Sequence, residues 1–281
     1  MSISAEEQES IMRIDLFRST WGIDAPWEIV FPMIAQQGYC GVELGVPLDQ
    51  GEQVRLVSQL AAHQLEYIAM AFTSGADLAA HIDSAKQQVE AAIACGARQI
   101  TLHGWRDASN FDDGCRFIEA IIAFEQHYGI AIGHETHRGR LFFNPWWTDM
   151  YLSRYADAHI CADYSHWVVV AERNLTDAEA IMERCAQHCI HLHTRVGHSQ
   201  GPQVPDPSLP RYTAEVAAHE YWWQLAVTAN QRAGKTSFSM TPEYGPPPYQ
   251  STDLATNAPL QPLSDIVEWQ SQRLRTLFPN K

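Results

Sequence analysis

Lysine is nearly missing from this chain. Only Lys86, Lys235 and Lys281 occur in 281 residues, and 19 basic residues stand against 33 acidic ones, a formal net charge of -14. Wrapping a phosphate backbone needs concentrated Lys and Arg, so a nucleic-acid partner is not expected. None of the three lysines sits at a strand end, which argues against a Schiff-base cofactor such as pyridoxal phosphate. Long apolar runs are missing too: no stretch approaches the roughly 20 residues that span a bilayer. The first ten residues are polar and acidic, unlike a secretory signal, and a cytoplasmic protein without a membrane partner is expected. The six cysteines lie mostly inside apolar patterns, as reduced thiols do. Cys185 and Cys189 lack a second ligand pair at finger-like spacing, so a structural zinc knuckle is not expected. Heptads, short repeats and low-complexity tracts are also absent.

What is there is an alternation. Apolar periodicity and breakers predict eight strands, at Ile11 to Phe17, Gly41 to Leu44, Tyr67 to Phe72, Gln99 to His103, Ile130 to Glu135, Ile160 to Asp163, Ile190 to Thr194 and Ser237 to Thr241. Helices are expected over Pro26 to Gln37, Asp77 to Cys95, Asp112 to Tyr128, Thr176 to His188, Thr213 to Ala233 and Leu263 to Leu277, several closed by a glycine. Thr148 to Ala156 carries no strong helix signal. Strands separated by helices pair in parallel through right-handed crossovers, and eight such units close into an α/β (β/α)₈ TIM barrel over residues 11–281, preceded by a flexible tail over residues 1–10. An open doubly wound sheet is the alternative, but no Gly-rich dinucleotide loop follows an early strand. The Pro-rich stretches at 201–210 and 246–248 follow the seventh and eighth strands and read as loops over the barrel mouth.

Four of these strands end at or near a metal-binding type of residue: Glu135, Asp163, His193 and Glu243. Three carboxylates and an imidazole suit one divalent ion, Mn, Mg, Co or Zn. Along the fifth strand Glu135 and His137 share a face while His134 points toward the helices. Asp163 and His166 lie three apart and can reach a common mouth, although an aspartate there also suits a cap for the next segment. His191, His193 and Arg195 form a cationic stripe that needs carboxylates opposite if it is buried. Trp21, Trp105, Trp167, Tyr244 and Tyr249 follow strand ends, where rings can pack against the C–H faces of a polyol or simply cover the core. Glu43 and His103 are further candidates for hydroxyl recognition, whereas Trp146, Trp147, Trp222 and Trp223 read as packing residues.

Gly38-Tyr-Cys-Gly-Val-Glu-Leu44, Asp163-Tyr-Ser-His166 and Thr241-Pro-Glu-Tyr-Gly245 together resemble the xylose isomerase-like TIM barrel superfamily, which holds sugar isomerases and epimerases, inosose dehydratases and endonuclease IV. The resemblance implies that Glu135, Asp163, His193 and Glu243 hold one metal ion. It also implies that His166 contacts a substrate oxygen and that the two glutamates act as acid and base. His193 is preferred to His191 because the second histidine of the pair looks like the ligand in the epimerase branch. That branch carries its substrate-binding Arg further along, whereas Arg195 follows His193 by two residues.

The activity expected is that of an isomerase or epimerase of carbohydrate metabolism. It would act on a sugar or polyol carbonyl compound by proton abstraction and a metal-stabilised enediolate. Arg195, His103, His137, Glu43, Trp21, Trp105 and Trp167 are the expected substrate contacts, and by resemblance the chain can form a homo-oligomer. A dehydratase is the alternative. An endonuclease IV-like hydrolase fits less well, because three metals need more ligands: the third strand ends without a histidine, and Asp206-Pro-Ser208 stands where Asp-x-His is expected. A noncatalytic sugar-binding barrel would need no acid and base pair.

Overall fold

The structure is a computed structural model in which residues 12–280 are described; the tail expected over residues 1–10 lies outside them, as does the first residue of the first expected strand. The elements run β1 (Arg13–Ser19), α1 (Trp27–Gln36), β2 (Gly41–Gly45), α2 (Gln50–His63), β3 (Glu66–Phe72), α3 (Leu78–Ala94), β4 (Gln99–His103), α4 (Phe111–Tyr128), β5 (Ile132–Glu135), α5 (Pro145–Arg154), β6 (His159–Ala162), α6 (Tyr164–Ala171), α7 (Glu179–Gln187), β7 (Cys189–His193), α8 (Thr213–Arg232), β8 (Ser237–Thr241) and α9 (Leu263–Leu277). The eight strands are parallel and neighbour one another in chain order, and β8 pairs with β1 to close the barrel. This is the expected (β/α)₈ barrel. Among the described residues no helix is long and apolar enough to cross a membrane.

Three helices went unread in the sequence: α2, α5 and α6. Each begins at a cap, and α2 also carries an apolar stripe in which Leu56 and Leu60 are buried. Asp49 accepts the Glu52 N–H, Asn144 the Trp147 N–H and Asp163 the Ser165 N–H, satisfying amides that a helix start leaves orphaned. The short α5 and α6, of 10 and 8 residues and little amphipathicity, leave almost no period to read, whereas the 14 residues of α2 were simply missed.

Alternation along the strands divides the core in two. Residues such as Val42, Ala69, Ile100, Leu102, Ile132, Ile160, Leu192 and Met240 are buried with the helices in one apolar cluster. The alternate positions face the barrel interior, where polar side chains bridge between strands: Thr101 donates to Glu43, Gln99 to Ser239, and His191 pairs with Ser239. Barrel interiors are more often packed with bulky branched residues. Here they carry a hydrogen-bonded column leading up to the carboxyl ends of the strands.

Candidate metal centre

The site lies at the carboxyl-terminal mouth, where strand direction places the last inward side chain of each strand. Glu135 closes β5, Asp163 follows β6 by one residue, His193 closes β7, and Glu243 follows β8 by two. One ligand atom from each lies within 4.8 Å of the others, and all four residues are buried. His193 Nδ1 is 3.4 Å from Glu135 Oε1 and 3.4 Å from Glu243 Oε2. Both Glu135 oxygens and His193 Nδ1 are buried without a hydrogen-bond partner. Buried polar groups are nearly always paired, so atoms of this kind converging on one point, with a donor set of three carboxylates and an imidazole, fit a divalent cation. Asp163 is both a cap and a member of the cluster: Oδ1 accepts from the Ser165 amide at 3.0 Å and hydroxyl at 2.5 Å, while Oδ2 faces the Arg195 guanidinium.

Two further groups of ligand type occur among the described residues. His103, Glu135 and His137 converge on one side, and Cys161, His191 and His193 on the other. His103 Nε2 lies 2.5 Å from Glu135 Oε2, an ion-pair distance without hydrogen-bond geometry. Burial pushes the Cys161 thiol well above its ordinary range, which leaves it a poor thiolate donor.

The electrostatics differ from residue to residue. Burial opposes ionisation of Glu135, but the facing His103 and His193 outweigh it and hold the carboxyl well below the usual range. At Glu243 and Asp163 burial prevails over the neighbouring cations, and both carboxyls are raised. Burial also lowers the His137 imidazole to about 4, and takes His166 far below its ordinary value with help from Arg195.

A cavity of about 440 Å³ opens above the cluster, lined among others by Trp21, Glu43, His103, Glu135, His137, Arg195, Glu243 and Tyr249. Arg195 is 1% exposed. Its Nη2 bonds Asp163, its Nη1 lies 3.4 Å from Glu243 without a hydrogen bond, and Tyr249 and Trp21 flank it at 5.1 and 5.9 Å. Trp21 meets Tyr249 edge to face at 5.0 Å. Gly245 lets the chain pass this close, since a Cβ there would fall 2.2 Å from the Trp21 ring.

Other expected contacts stand elsewhere. Trp105 and Trp167 do not line the cavity. The Trp105 indole donates to Ser109 and stacks on Phe117, and Trp167, fully buried, donates to the Phe142 carbonyl. Tyr244 is likewise buried, accepting the Val196 N–H at its hydroxyl. Each follows a strand end, but Trp105 packs under α4, Trp167 lies on α6 itself with its indole turned onto the segment after β5, and Tyr244 is held by the chain after β7. His166 is buried behind the cavity wall against Arg195 and His137. Glu43 reaches the cavity, yet both its carboxylate oxygens are engaged by Thr101, His191 and His193. Arg140 and Phe72 line the cavity unannounced. Phe72 stacks on His103 at 4.2 Å, and the signal for Arg140 was its place three residues past His137 in the loop after β5.

No family model matches the chain, and no curated protein sequence matches it. Solved structures do. A xylose isomerase-like TIM barrel protein from Mycobacterium smegmatis in complex with magnesium is 13% identical with a TM-score of 0.61, over 83% of this chain and 91% of that one. A 3-keto-D-glucoside 4-epimerase from E. coli is 11% identical with a TM-score of 0.61, over 94% and 100%. A family 2 AP endonuclease from Brucella melitensis is 17% identical with a TM-score of 0.58, over 84% and 94%. At such identities the likeness concerns the fold, which hosts several chemistries. The chain shares its (β/α)₈ barrel fold with these structures, a xylose isomerase-like TIM barrel protein among them.

Proposed function

We propose that this chain is a divalent-metal-dependent isomerase or epimerase of a sugar or related polyol carbonyl compound. The observation that carries this reading is the convergence of Glu135, Asp163, His193 and Glu243 under a cavity of small-molecule size, with both Glu135 oxygens and His193 Nδ1 buried and without a hydrogen-bond partner. The fold neighbours support it, because a magnesium complex and a sugar epimerase stand among them. When bound, the ion supplies positive charge beside a substrate carbonyl and its neighbouring hydroxyl, favouring loss of the proton between them.

The remaining chemistry belongs to side chains. Glu135 and Glu243 approach His193 Nδ1 from β5 and β8, each at 3.4 Å. They provide one carboxylate to take a proton from carbon and another to return it. Return to the opposite face epimerises, and return to the adjacent carbon isomerises; loss of a neighbouring hydroxyl would make the enzyme a dehydratase. Arg195 Nη1, free of hydrogen bonds beside the cavity, offers a donor to a substrate oxygen, as does His103, while the neutral His137, its Nδ1 hydrogen held by the Arg138 carbonyl, offers Nε2 as an acceptor. Trp21 and Tyr249 present edges and faces to a sugar ring, and Leu44, Met70 and Phe72 supply the apolar remainder of the wall.

A nucleic-acid substrate, suggested by the AP endonuclease neighbour, is disfavoured by the -14 net charge. The test is metal stoichiometry by elemental mass spectrometry after reconstitution with mixed divalent ions, followed by deuterium uptake from D₂O into ketoses, aldoses and inososes. About one ion per chain with uptake supports the reading. Three zinc ions would favour the nuclease, no ion a binding protein, and water loss without uptake into recovered substrate the dehydratase.

A further inference from the structure

The carboxylate of Glu43 is wholly buried, and everything around it donates. Thr101 Oγ1 lies 2.7 Å from Oε1, His193 Nε2 3.0 Å from the same oxygen, and His191 Nε2 3.2 Å from Oε2. An ionised carboxylate can only accept. The hydrogen on His193 Nε2 is therefore committed to Glu43, and Nδ1 is the one ring atom of His193 that a cation can use. Nδ1 is also the atom that faces Glu135 and Glu243 and has no hydrogen-bond partner.

We infer that Glu43 is a positioning residue that fixes the ring of His193 so that the ion is held through Nδ1. This rests on the metal reading above. The arrangement is braced from below. His191 Nδ1 lies 2.7 Å from Ser239 Oγ, which accepts from Gln99 Nε2 at 3.1 Å, and His191 Nε2 lies 3.1 Å from Thr241 Oγ1. Glu43 thus links β2 to β4 and β7, and the column continues through His191 to β8. Moving the His193 proton to Nδ1 would place the Nε2 lone pair against the Glu43 carboxylate, and flipping the ring would put a ring carbon there; either leaves a buried carboxylate oxygen short of a donor. A hydrogen-bonded carboxylate behind a metal-binding imidazole sets its tautomer and raises its basicity, and removal of such a partner lowers metal affinity by about 10- to 100-fold.

Two measurements on the full chain test this. The first is the nitrogen–proton correlation spectrum of wild-type protein loaded with Zn²⁺, with His193 assigned by comparison with His191→Gln and His193→Gln. The expected pattern is a hydrogen on Nε2 and metal on Nδ1; the reverse pattern overturns the assignment. The second is Mn²⁺ affinity by calorimetry in Glu43→Gln, whose amide keeps the volume but presents a donor to one of the two imidazoles. Affinity weakened about 10- to 100-fold, with one site retained, supports the role. Affinity equal to wild type overturns it. If Glu43→Gln does not fold, the wild-type spectrum still decides. Wild-type protein that binds neither Zn²⁺ nor Mn²⁺ would overturn the metal reading and this assignment with it, whereas normal wild-type affinity that Glu43→Gln leaves unchanged overturns the role of Glu43 alone.

Discussion

The two ends of the barrel handle buried charge in opposite ways. At the amino-terminal end Asp15 is fully buried and accepts from Arg13 Nε at 2.6 Å and Arg98 Nη1 at 2.8 Å; Arg98 goes on to Glu66 at 2.8 Å and Ser237 at 3.0 Å. Each charge in that network has a partner. At the mouth Glu135 Oε1 and Oε2, His193 Nδ1, His103 Nε2 and Arg195 Nη1 are all buried without hydrogen bonds. A buried polar group left unpaired costs about 1–3 kcal/mol. The floor is therefore arranged to stabilise the folded chain, while the mouth raises its free energy until something satisfies it. That is the division of labour expected between the two faces of a barrel of this kind.

The largest effect should appear where a mouth carboxylate becomes an amide. Glu135→Gln and Glu243→Gln each preserve shape while removing an acid–base group, and such groups contribute about 10²- to 10⁴-fold in rate. Deuterium incorporation into the responsive substrate should fall by that factor, with thermal unfolding unchanged or shifted upward. Wild-type exchange in both variants would defeat the proposed chemistry. Asp15→Ala should do the reverse. The arginines left behind reach solvent and Arg98 keeps Glu66, so the loss is that of charge-assisted hydrogen bonds, about 1.5–3 kcal/mol; urea unfolding should register it while Mn²⁺ affinity stays at the wild-type level. Equal stability would show that the floor network is ornamental.

The contrast was only partly legible in the chain. The barrel and the mouth residues could be read because strand ends announce themselves through apolar runs that stop at Glu135, Asp163 and His193. The floor could not: Asp15 and Arg98 are 83 positions apart and meet only because β1 and β4 bound the same interior. Glu43 shows the same limit from the other side. Its place at a strand end was visible, but its hydrogen bonds to His191 and His193, about 150 residues away, were not. Trp105 and Trp167 failed because position after a strand end does not say whether the ring will turn to the cavity or into the surrounding helices and loops.

Metal binding sharpens the comparison further, because it should act on one end only. A ligand that binds only the folded chain stabilises it by about 2.7 kcal/mol at 100 times its dissociation constant. Mn²⁺ at that concentration should raise the melting temperature by several degrees in wild type and in Asp15→Ala alike. Asp163→Asn should lose most of the rise. A full shift in Asp163→Asn would place the ion elsewhere, with the His103, Glu135 and His137 group the next candidate.

The smallest and most discriminating effect is in the pH dependence of stability, where Asp15 at the floor and Asp163 and Glu243 at the mouth carry opposite signs, Glu135 alone among the three carboxylates of the metal cluster sharing the sign of Asp15. Burial alone would raise the Asp15 carboxyl, but hydrogen bonds from Arg13 and Arg98 outweigh it and the net shift is downward. The unfolded chain therefore takes up that proton first, so the contribution of Asp15 is complete above the ordinary carboxylate range and is lost as pH falls through the depressed value. Asp163 and Glu243 are raised, so the folded, metal-free chain binds those protons first and gains stability as pH falls through their raised values. Because the lowered His137 and His166 imidazoles add a loss over the same range, urea unfolding stepped from neutral pH downward should show the gain from the mouth as a difference between metal-free wild type and Glu243→Gln, and the loss from the floor at lower pH. Asp15→Asn should weaken the later loss and leave the earlier gain. Saturating Mn²⁺ should suppress the gain, because the ligands must stay ionised to hold the ion. A gain untouched by Mn²⁺, or a loss identical in Asp15→Asn, would mean that the acid response arises elsewhere in the chain.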